Sequence, residues 1–369
     1  MQTRLRVGVV GCGVIAQVMH LHYLRELPEL FEISALCDAS QELRRRCAED
    51  YKVAFTCGDW RELLDHPLDA LLILTSGSHA PITVAALKAG LHVLAEKPMC
   101  FSVAEGREMI AAAQQAGRVL MVAYNKRYDP AYMRFAADAG SMRDIRLVRI
   151  TTLEAPFLPY VTHYRLHKPE PLPESLHAAL SHDTQARIAA ALGEVDLLSA
   201  RAYHLVLLDS LVHEFNAVRG VLGEPDRLEF ADITETGVTV VLHFGQTHCV
   251  LNWVDLPGIA RYAMEFAFFA PSSRLTLKFP SPFLRNAPTM LIREGGEIGE
   301  TRSWRTEEIN SYEESFCREL IHFHHCVTTG ATPITSAADA LGDIALCQSV
   351  IDVHRRRILR SHPTDAVSN

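Results

Sequence analysis

The sequence lacks the features of several protein classes. No uninterrupted apolar run reaches the 18 residues of a membrane-spanning helix. Positive charge is not in excess: 36 Lys and Arg face 44 Asp and Glu, a formal net charge of −8. This balance argues against nucleic acid or an anionic membrane as the main partner. C-x-x-C pairs are absent, and the 9 cysteines are odd in number and widely spaced. Such usage indicates reduced thiols and a cytoplasmic protein rather than a disulfide framework.

The 369 residues are enough for about two domains. Residues 5–10 form an apolar run typical of a strand buried on both faces, and strand and helix patterns then alternate to about residue 125. This order predicts an α/β fold whose N-terminal domain, residues 1–126, is a Rossmann doubly wound parallel sheet. Period-2 segments between residues 228 and 291 predict an open, mainly antiparallel sheet in a C-terminal α/β domain, residues 127–369.

Helix boundaries have recognisable signals in the first domain. The first helix is predicted from about Ile15 to Leu27, directly after the first strand. Ser40 has the position of an N-cap for the second helix. Ser102 followed by Glu105 predicts a capping box at the start of a later helix.

The strongest local motif is G-x-G-x-x-A at residues 11–16, between the first strand and the first helix. Gly11 permits the tight turn, Gly13 lets the backbone approach a pyrophosphate, and Ala16 lets the helix pack closely on the sheet. The helix N-terminus, at Val14 and Ile15, then faces the phosphates. The motif predicts dinucleotide binding, with a plain strand-to-helix turn as the alternative.

Asp38 ends the second predicted strand. A carboxylate at this place accepts the ribose hydroxyls of NAD and repels the 2′-phosphate of NADP, so NAD is the favoured cofactor. NADP stays open because Arg44 and Arg45 follow one turn later. A simple capping aspartate is the alternative interpretation of Asp38.

Glu96-Lys97-Pro98 closes the predicted strand at residues 92–95. Ligands of parallel α/β sheets bind at the carboxyl ends of the strands, so these side chains are expected to face the cofactor crevice. A lysine there can hydrogen-bond a substrate hydroxyl, and its charge favours a developing alkoxide. For an isolated E-K-P, an exposed loop lysine is the default alternative.

These motifs occur in an order that resembles the Gfo/Idh/MocA family of sugar and cyclitol oxidoreductases. The matching segments are Gly11–Ala16, Thr75–His79, Ala89–Pro98, Tyr124–Tyr128, Asp209 with His213, Leu222–Pro225 and Pro333–Asp339. The resemblance implies a Rossmann domain, a C-terminal domain with an open sheet, and a homodimer or homotetramer built on that sheet.

The resemblance also implies roles for individual residues. It implies catalysis by Lys97, His213 and Asp209. It implies cofactor binding by Gly11, Gly13, Val14, Ile15, Asp38, Thr75, Ser76, His79, Glu96, Lys97 and Asn125. It implies substrate binding by Lys97, Arg127, Tyr128, Asp209 and His213.

The spacing of Asp209 and His213 adds its own prediction. Residues four apart on an α-helix share one face, so the carboxylate is expected to orient the imidazole, which then takes a proton from an alcohol. Three departures from the family pattern stand nearby. Leu207 and Leu208 replace two glycines, Asn216 replaces an aspartate of some members, and a Pro- and His-rich insertion at about 156–200 suggests a lid or specificity loop.

The sequence thus predicts an NAD(P)-dependent oxidoreductase that acts on a secondary hydroxyl or ketone of a sugar, a sugar derivative or a cyclitol. Two alternatives share the scaffold: an NAD-dependent glycoside hydrolase and a non-catalytic NAD(P)-binding sugar sensor. No metal is predicted, because His324 and His325 point about 100° apart on a helix, and the pair His163 and His167 is a weak signal.

Overall fold

The computed structural model describes residues 3–361. Its first sheet has six parallel strands in the order β3-β2-β1-β4-β5-β6, which is the predicted doubly wound arrangement. The strands are β1 (Leu5–Val10), β2 (Phe31–Cys37), β3 (Phe55–Cys57), β4 (Ala70–Ile73), β5 (His92–Glu96) and β6 (Leu120–Ala123). The connecting α-helices are α1 (Leu21–Glu26), α2 (Gln41–Tyr51), α3 (Ala80–Lys88) and α4 (Val103–Ala116).

The caps of these helices follow the sequence signals in part. The Ser40 side chain accepts the Leu43 N–H at 3.2 Å, and the Ser102 side chain accepts the Glu105 N–H at 3.2 Å. The Glu105 carboxylate, however, accepts the N–H of Phe101, so the predicted reciprocal capping box is only half formed. The first helix begins as a π-helical turn, Ala16–His20, before α1.

The second sheet has eight strands in the order β14-β13-β12-β11-β7-β10-β9-β8. Only the β7–β10 pair is parallel among its described strands, so the sheet is mainly antiparallel as predicted. The strands are β7 (Leu147–Glu154), β8 (Arg227–Ile233), β9 (Gly237–Phe244), β10 (Thr247–Asp255), β11 (Ala263–Phe269), β12 (Ser273–Phe279), β13 (Met290–Gly296) and β14 (Ser303–Ile309). The helices are α5 (Pro130–Ser141), α6 (Leu158–Val161), α7 (Glu174–Leu192), α8 (Leu197–Ala202), α9 (Val212–Leu222), α10 (Ser315–Thr329) and α11 (Ala337–Ser361).

The insertion contains a helix that the sequence pattern does not reveal. Of the 19 residues of α7, only Ile188 is buried, and Leu180 is 52 % exposed. A helix with a single buried residue has no apolar stripe, which is the signal that predicts amphipathic helices.

The end of the chain returns to the first domain. Phe316, Leu320 and Phe323 on α10 pack in one buried cluster with β1 residues such as Val7. The Val122 N–H donates to the Thr335 carbonyl, which joins β6 to the segment before α11. The predicted division at residue 126 stays a prediction. Within residues 3–361, no helix is both long enough and apolar enough to cross a bilayer.

Candidate active site

The glycine turn has the shape that a pyrophosphate requires. Gly11 has φ +96°, and a Cβ there would lie 2.9 Å from the backbone of Leu74 and Thr75 at the end of β4. Gly13 is the opposite case, because nothing lies within 4 Å of its missing Cβ. The chain becomes helical at Val14, so N–H groups without helical partners border this open space. The turn therefore fits the phosphates of a dinucleotide.

Asp38 lies against the glycine turn. Its carboxylate accepts the N–H of Cys12 and the N–H of Ser40, both at 2.8 Å. The side chain that caps α2 is Ser40, so Asp38 is more than a helix cap. Its position at the carboxyl end of β2 is where an acidic residue meets the adenosine ribose in dinucleotide-binding folds.

His79 is buried and supports the loop after β4. Its ring nitrogens lie 2.7 Å from the Thr75 carbonyl oxygen and 2.8 Å from the Pro98 carbonyl oxygen. Burial lowers the pKa of this imidazole. The predicted cofactor contact of His79 is therefore replaced by a link between the loops after β4 and β5, while Thr75 and Ser76 remain accessible at this edge.

The side chains of Glu96 and Asn125 also form hydrogen bonds with other residues of the protein. The Glu96 carboxylate lies 2.7 Å from His20 Nε2 and accepts the Lys97 N–H at 3.0 Å. Burial opposes ionisation of Glu96, but the His20 hydrogen bond and nearby positive charges outweigh it, and the pKa is lowered. Asn125 Nδ2 donates to Ser315 Oγ at 2.9 Å, towards α10. The side chains of Glu96 and Asn125 therefore hold protein segments together beside the expected cofactor crevice.

Lys97 follows β5, and the Lys97–Pro98 peptide is cis. Its Nζ donates to the Asp209 carbonyl at 2.7 Å and to Asp209 Oδ1 at 2.8 Å. Burial disfavours the ammonium, but the charges of Asp209 and Glu96 outweigh it and raise the pKa of Lys97. Lys97 is therefore a fixed cation at the carboxyl end of a central strand.

The predicted Asp209–His213 pair does not form. Asp209 lies in a π-helical stretch, Tyr203–Leu211, where residues four apart no longer stack on one face as they do in an α-helix. Its carboxylate contacts Lys97, and its side chain is 69 % exposed. The structure therefore places Asp209 as the partner of the lysine, not of the imidazole.

His213 is the second residue of the regular helix α9, near Lys97 and Lys126. Its Nδ1 is buried and makes no hydrogen bond among the described residues. The Tyr124 ring stands edge-on to the imidazole, 6.0 Å between centroids. Burial, with the charges of Lys126 and Lys97, holds the pKa of His213 well below its usual value. The lowered pKa favours the neutral imidazole, and Nε2 is the nitrogen left for a substrate oxygen.

Arg127 and Tyr128 are not at the predicted substrate mouth. Arg127 Nη1 donates to the carbonyl oxygen of Asn216 at 3.2 Å and to its Oδ1 at 3.3 Å. Tyr128 is 3 % exposed, and its hydroxyl lies 2.7 Å from Thr335 Oγ1. The turn Asn125–Tyr128 is a 3-10 helix, and its geometry directs these side chains into the structure.

Lys126, between the predicted residues Asn125 and Arg127, is the first of two residues that sequence reasoning missed. It is 4 % exposed, and among the described residues its ammonium makes no hydrogen bond and no ion pair within 4 Å. The Phe279 ring lies 5.8 Å away. Burial lowers the pKa of Lys126, although the charge of Glu214 opposes this. The sequence signal that could have identified Lys126 is its position inside the Tyr124–Tyr128 motif.

Glu214 is the second missed residue and directly follows His213. Its Oε1 accepts from Thr152 Oγ1 on β7, whereas its buried Oε2 has no hydrogen bond among the described residues. Burial raises the pKa of this carboxyl, and the charge of Lys126 opposes the rise. Lys126 and Glu214 are thus two buried groups of opposite charge that influence each other's pKa without an ion pair within 4 Å among the described residues.

Comparison with known proteins agrees with this geometry. Residues 5–124 match the family model GFO_IDH_MocA, described as an oxidoreductase family with an NAD-binding Rossmann fold. Residues 5–124, about a third of the chain, are therefore similar to this family. The first domain of the chain is an NAD-binding Rossmann domain, and NAD or NADP is its cofactor.

Three similar proteins show how far the likeness extends. The myo-inositol 2-dehydrogenase of Thermotoga maritima is 24 % identical over 358 residues, 93 % of each chain. The oxidoreductase YrbE of Bacillus subtilis is 29 % identical over 167 residues, and the match spans about half of it, 48 %, and 44 % of this chain. The 3-ketoreductase KijD10 from Actinomadura kijaniata, solved with NADP and TDP-benzene, has a TM-score of 0.70 at 20 % identity, covering 95 % of this chain and 98 % of that one. This last likeness shows the fold.

Proposed function

We propose that this protein is a member of the Gfo/Idh/MocA oxidoreductase family and interconverts a secondary alcohol and a ketone on a neutral sugar, sugar derivative or cyclitol, with NAD as the favoured cofactor. The observation that carries the proposal is that Lys97, an ammonium fixed by Asp209 at the carboxyl end of the parallel sheet, lies near enough to His213 for its charge to help lower the pKa of that imidazole. A cation and a neutral base are the two groups that alcohol oxidation needs.

In this mechanism, Lys97 Nζ donates a hydrogen bond to the reacting oxygen and stabilises negative charge on it. His213 Nε2 accepts the hydroxyl proton during oxidation and returns it during reduction. Asp209 positions Lys97 through two contacts. The bound dinucleotide supplies hydride transfer to or from the carbon that bears this oxygen.

Lys126 and Glu214 are assigned to the remaining hydroxyl groups of the substrate. An ammonium offers donors only, and an ionised carboxylate offers acceptors only, so the pair can bracket a hydroxyl that both donates and accepts. The two groups have opposite charges, which favours a neutral substrate over an anionic one. The relative named myo-inositol 2-dehydrogenase, a redox enzyme of a cyclitol by name, supports this class.

Oligomerisation is proposed through the open sheet. Val241 on β9 and Val250 on β10 are paired in register, half-buried, and lie on one face of the sheet. Accessible apolar residues on a sheet face can contribute to an interface between copies. The expected assembly is a homodimer or homotetramer, and light scattering after gel filtration of Val250→Glu would then give a smaller mass than the wild type.

The test of the proposed function begins with binding. Thermal shift with NAD, NADH, NADP and NADPH is followed by a screen of sugars, inositols and nucleotide-linked sugars for NADH formation at 340 nm. A shift with NAD and turnover of one polyol is the expected result. A cofactor shift without turnover of any compound would contradict the dehydrogenase proposal, and release of an aryl aglycone without net NADH would replace it with glycoside hydrolysis.

A further inference from the structure

Residues 163–170, which we call the crossing segment, leave the second domain and lie on the dinucleotide-binding domain. The His167 N–H donates to Gln17 Oε1 at 2.8 Å, and Gln17 Nε2 donates to the His167 carbonyl at 3.1 Å. Gln17 Nε2 also donates to the Cys12 carbonyl at 2.9 Å. One side chain therefore fastens the crossing segment to the glycine turn.

Two further contacts anchor the crossing segment along α2. His167 Nε2 lies 2.7 Å from Asp50 Oδ2, in the last turn of α2. Leu166 and Tyr164 pack against the buried cluster that includes Leu43 and Cys47 of the same helix. The crossing segment runs from this end of α2 towards its N-terminus.

Glu170, at the end of the crossing segment, occupies the N-terminus of α2. Its carboxylate accepts the Gln41 N–H at 2.9 Å and the Glu42 N–H at 3.3 Å. Its own N–H donates to Ser40 Oγ at 3.3 Å. N–H groups in the first helical turn have no partner within the helix, and they are donors that a bound phosphate uses. Glu170 fills them with a carboxylate from more than 120 residues away in the sequence.

This helix start also adjoins the place where dinucleotide-binding folds hold the adenosine ribose. Asp38 accepts the N–H of Cys12 in the glycine turn and the N–H of Ser40 at the helix cap, so the three features adjoin. The 2′-substituent of the ribose lies beside the acidic residue that ends β2, and a 2′-phosphate needs positive partners there. In this protein it would meet the carboxylates of Asp38 and Glu170.

The arginines of α2 do not fully compensate for the negative charges of Asp38 and Glu170. Arg45 and Arg46 pair with Glu42 on their own helix, at 2.9 Å and 2.6 Å. Arg44 Nη1 donates to the Asp38 carbonyl at 3.0 Å. Arg44 and Arg45 are the two arginines whose positions in the sequence leave NADP as a possible cofactor. Of these two, only Arg44 adjoins the expected position of the ribose.

We propose that Glu170 is a specificity-determining residue: its carboxylate takes the place that the 2′-phosphate of NADP would occupy and makes the protein selective for NAD. The inference rests on the proposed function only for dinucleotide binding, and it goes beyond Asp38 because it assigns part of cofactor choice to the inserted segment.

The test is isothermal titration calorimetry of NAD and NADP with the full-length protein, which reads binding without turnover. Glu170→Gln keeps an oxygen that accepts the helix N–H groups and removes only the charge. Glu174→Gln is the matched control, because Glu174 follows shortly after, is exposed, and makes no hydrogen bond or ion pair among the described residues. Glu170→Ala, which frees the N–H groups, is the second variant.

The wild type is expected to bind NAD at least about tenfold more tightly than NADP. Glu170→Gln is expected to lower the Kd for NADP about tenfold with little change for NAD, Glu170→Ala to do so at least equally, and Glu174→Gln to match the wild type. NAD binding with the same NADP-to-NAD ratio in the wild type and both Glu170 variants would overturn this inference alone. Failure of every protein to bind either dinucleotide would overturn the proposed function, and the inference with it.

Discussion

Two corners of the candidate active site each contain a lysine in a contrasting setting. In the first corner, Lys97 donates to two oxygens of Asp209, and nearby carboxylates raise its pKa against the effect of burial. In the second corner, Lys126 has no hydrogen bond or ion pair among the described residues, and burial lowers its pKa. The second corner also holds Glu214, whose buried Oε2 lacks a hydrogen bond among the described residues.

The contrast distinguishes polar groups whose hydrogen-bond partners lie within the protein from polar groups that are available to bind a ligand. A buried polar group without a partner costs free energy, so most are satisfied within the protein. Unsatisfied groups that cluster beside a fixed cation and a neutral imidazole mark the place where a substrate supplies the missing partners. The Lys97 corner should therefore control chemistry, and the Lys126 corner should control substrate binding.

The largest expected effect comes from Lys97→Ala. Loss of the cation that stabilises the reacting oxygen is expected to lower kcat by about a thousandfold or more. NAD binding should change little, because the glycine turn and Asp38 do not contact Lys97. Steady-state kinetics and calorimetry of NAD measure the two quantities. A near-normal kcat in this variant would show that Lys97 is not a catalytic residue. It would also contradict the assignment of chemistry to the Lys97 corner and substrate binding to the Lys126 corner.

Lys126→Met tests the second corner and is expected to raise KM, with kcat/KM about 10- to 100-fold lower and kcat affected less. The same change removes a buried, unpaired charge, so the free energy of unfolding should stay equal or rise by about 1 kcal/mol. Denaturant titration and substrate saturation curves give both values. Lys88→Met, on the exposed end of α3, is the control. Lower stability with unchanged KM would show that Lys126 is structural.

Asp209→Asn is expected to have a smaller effect, about a tenfold loss in kcat/KM. The amide keeps a hydrogen-bond acceptor for Lys97 but removes the charge that raises its pKa. The basic limb of the pH–rate profile should therefore move to lower pH, which a merely structural role would not cause. Asp352→Asn, an exposed change on α11, serves as the control. A tenfold loss with an unmoved basic limb would contradict the positioning role of Asp209.

Sequence reasoning predicted the strand-end features better than the helix-borne ones. The glycine turn, Asp38 and Lys97 follow strands of a parallel sheet, whose carboxyl ends meet at one edge by topology. Asp209 and Arg127 lie on π- and 3-10-helical segments, where the α-helical period no longer determines which side chains share a face. The contacts of Gln17 and Glu170 between the two domains could not be predicted either, because contacts between residues more than 120 apart leave no periodic signal.

The smallest expected effect is on the acid limb of the pH profile. Burial and the charges of Lys126 and Lys97 disfavour the imidazolium, so the pKa of His213 lies below its usual value of 6.5. Oxidation of the alcohol requires the neutral ring, and protonation should reduce kcat/KM only below pH 6.5. Between pH 8 and pH 6.5, kcat/KM should then fall by less than about twofold. In Lys126→Met one of the two charges is absent, so the acid limb should move to higher pH. The contrary result is an acid limb at or above pH 6.5 in the wild type that does not move in Lys126→Met. It would show that the charge of Lys126 does not affect the pKa of His213, and that the second corner has no electrostatic influence on the chemistry.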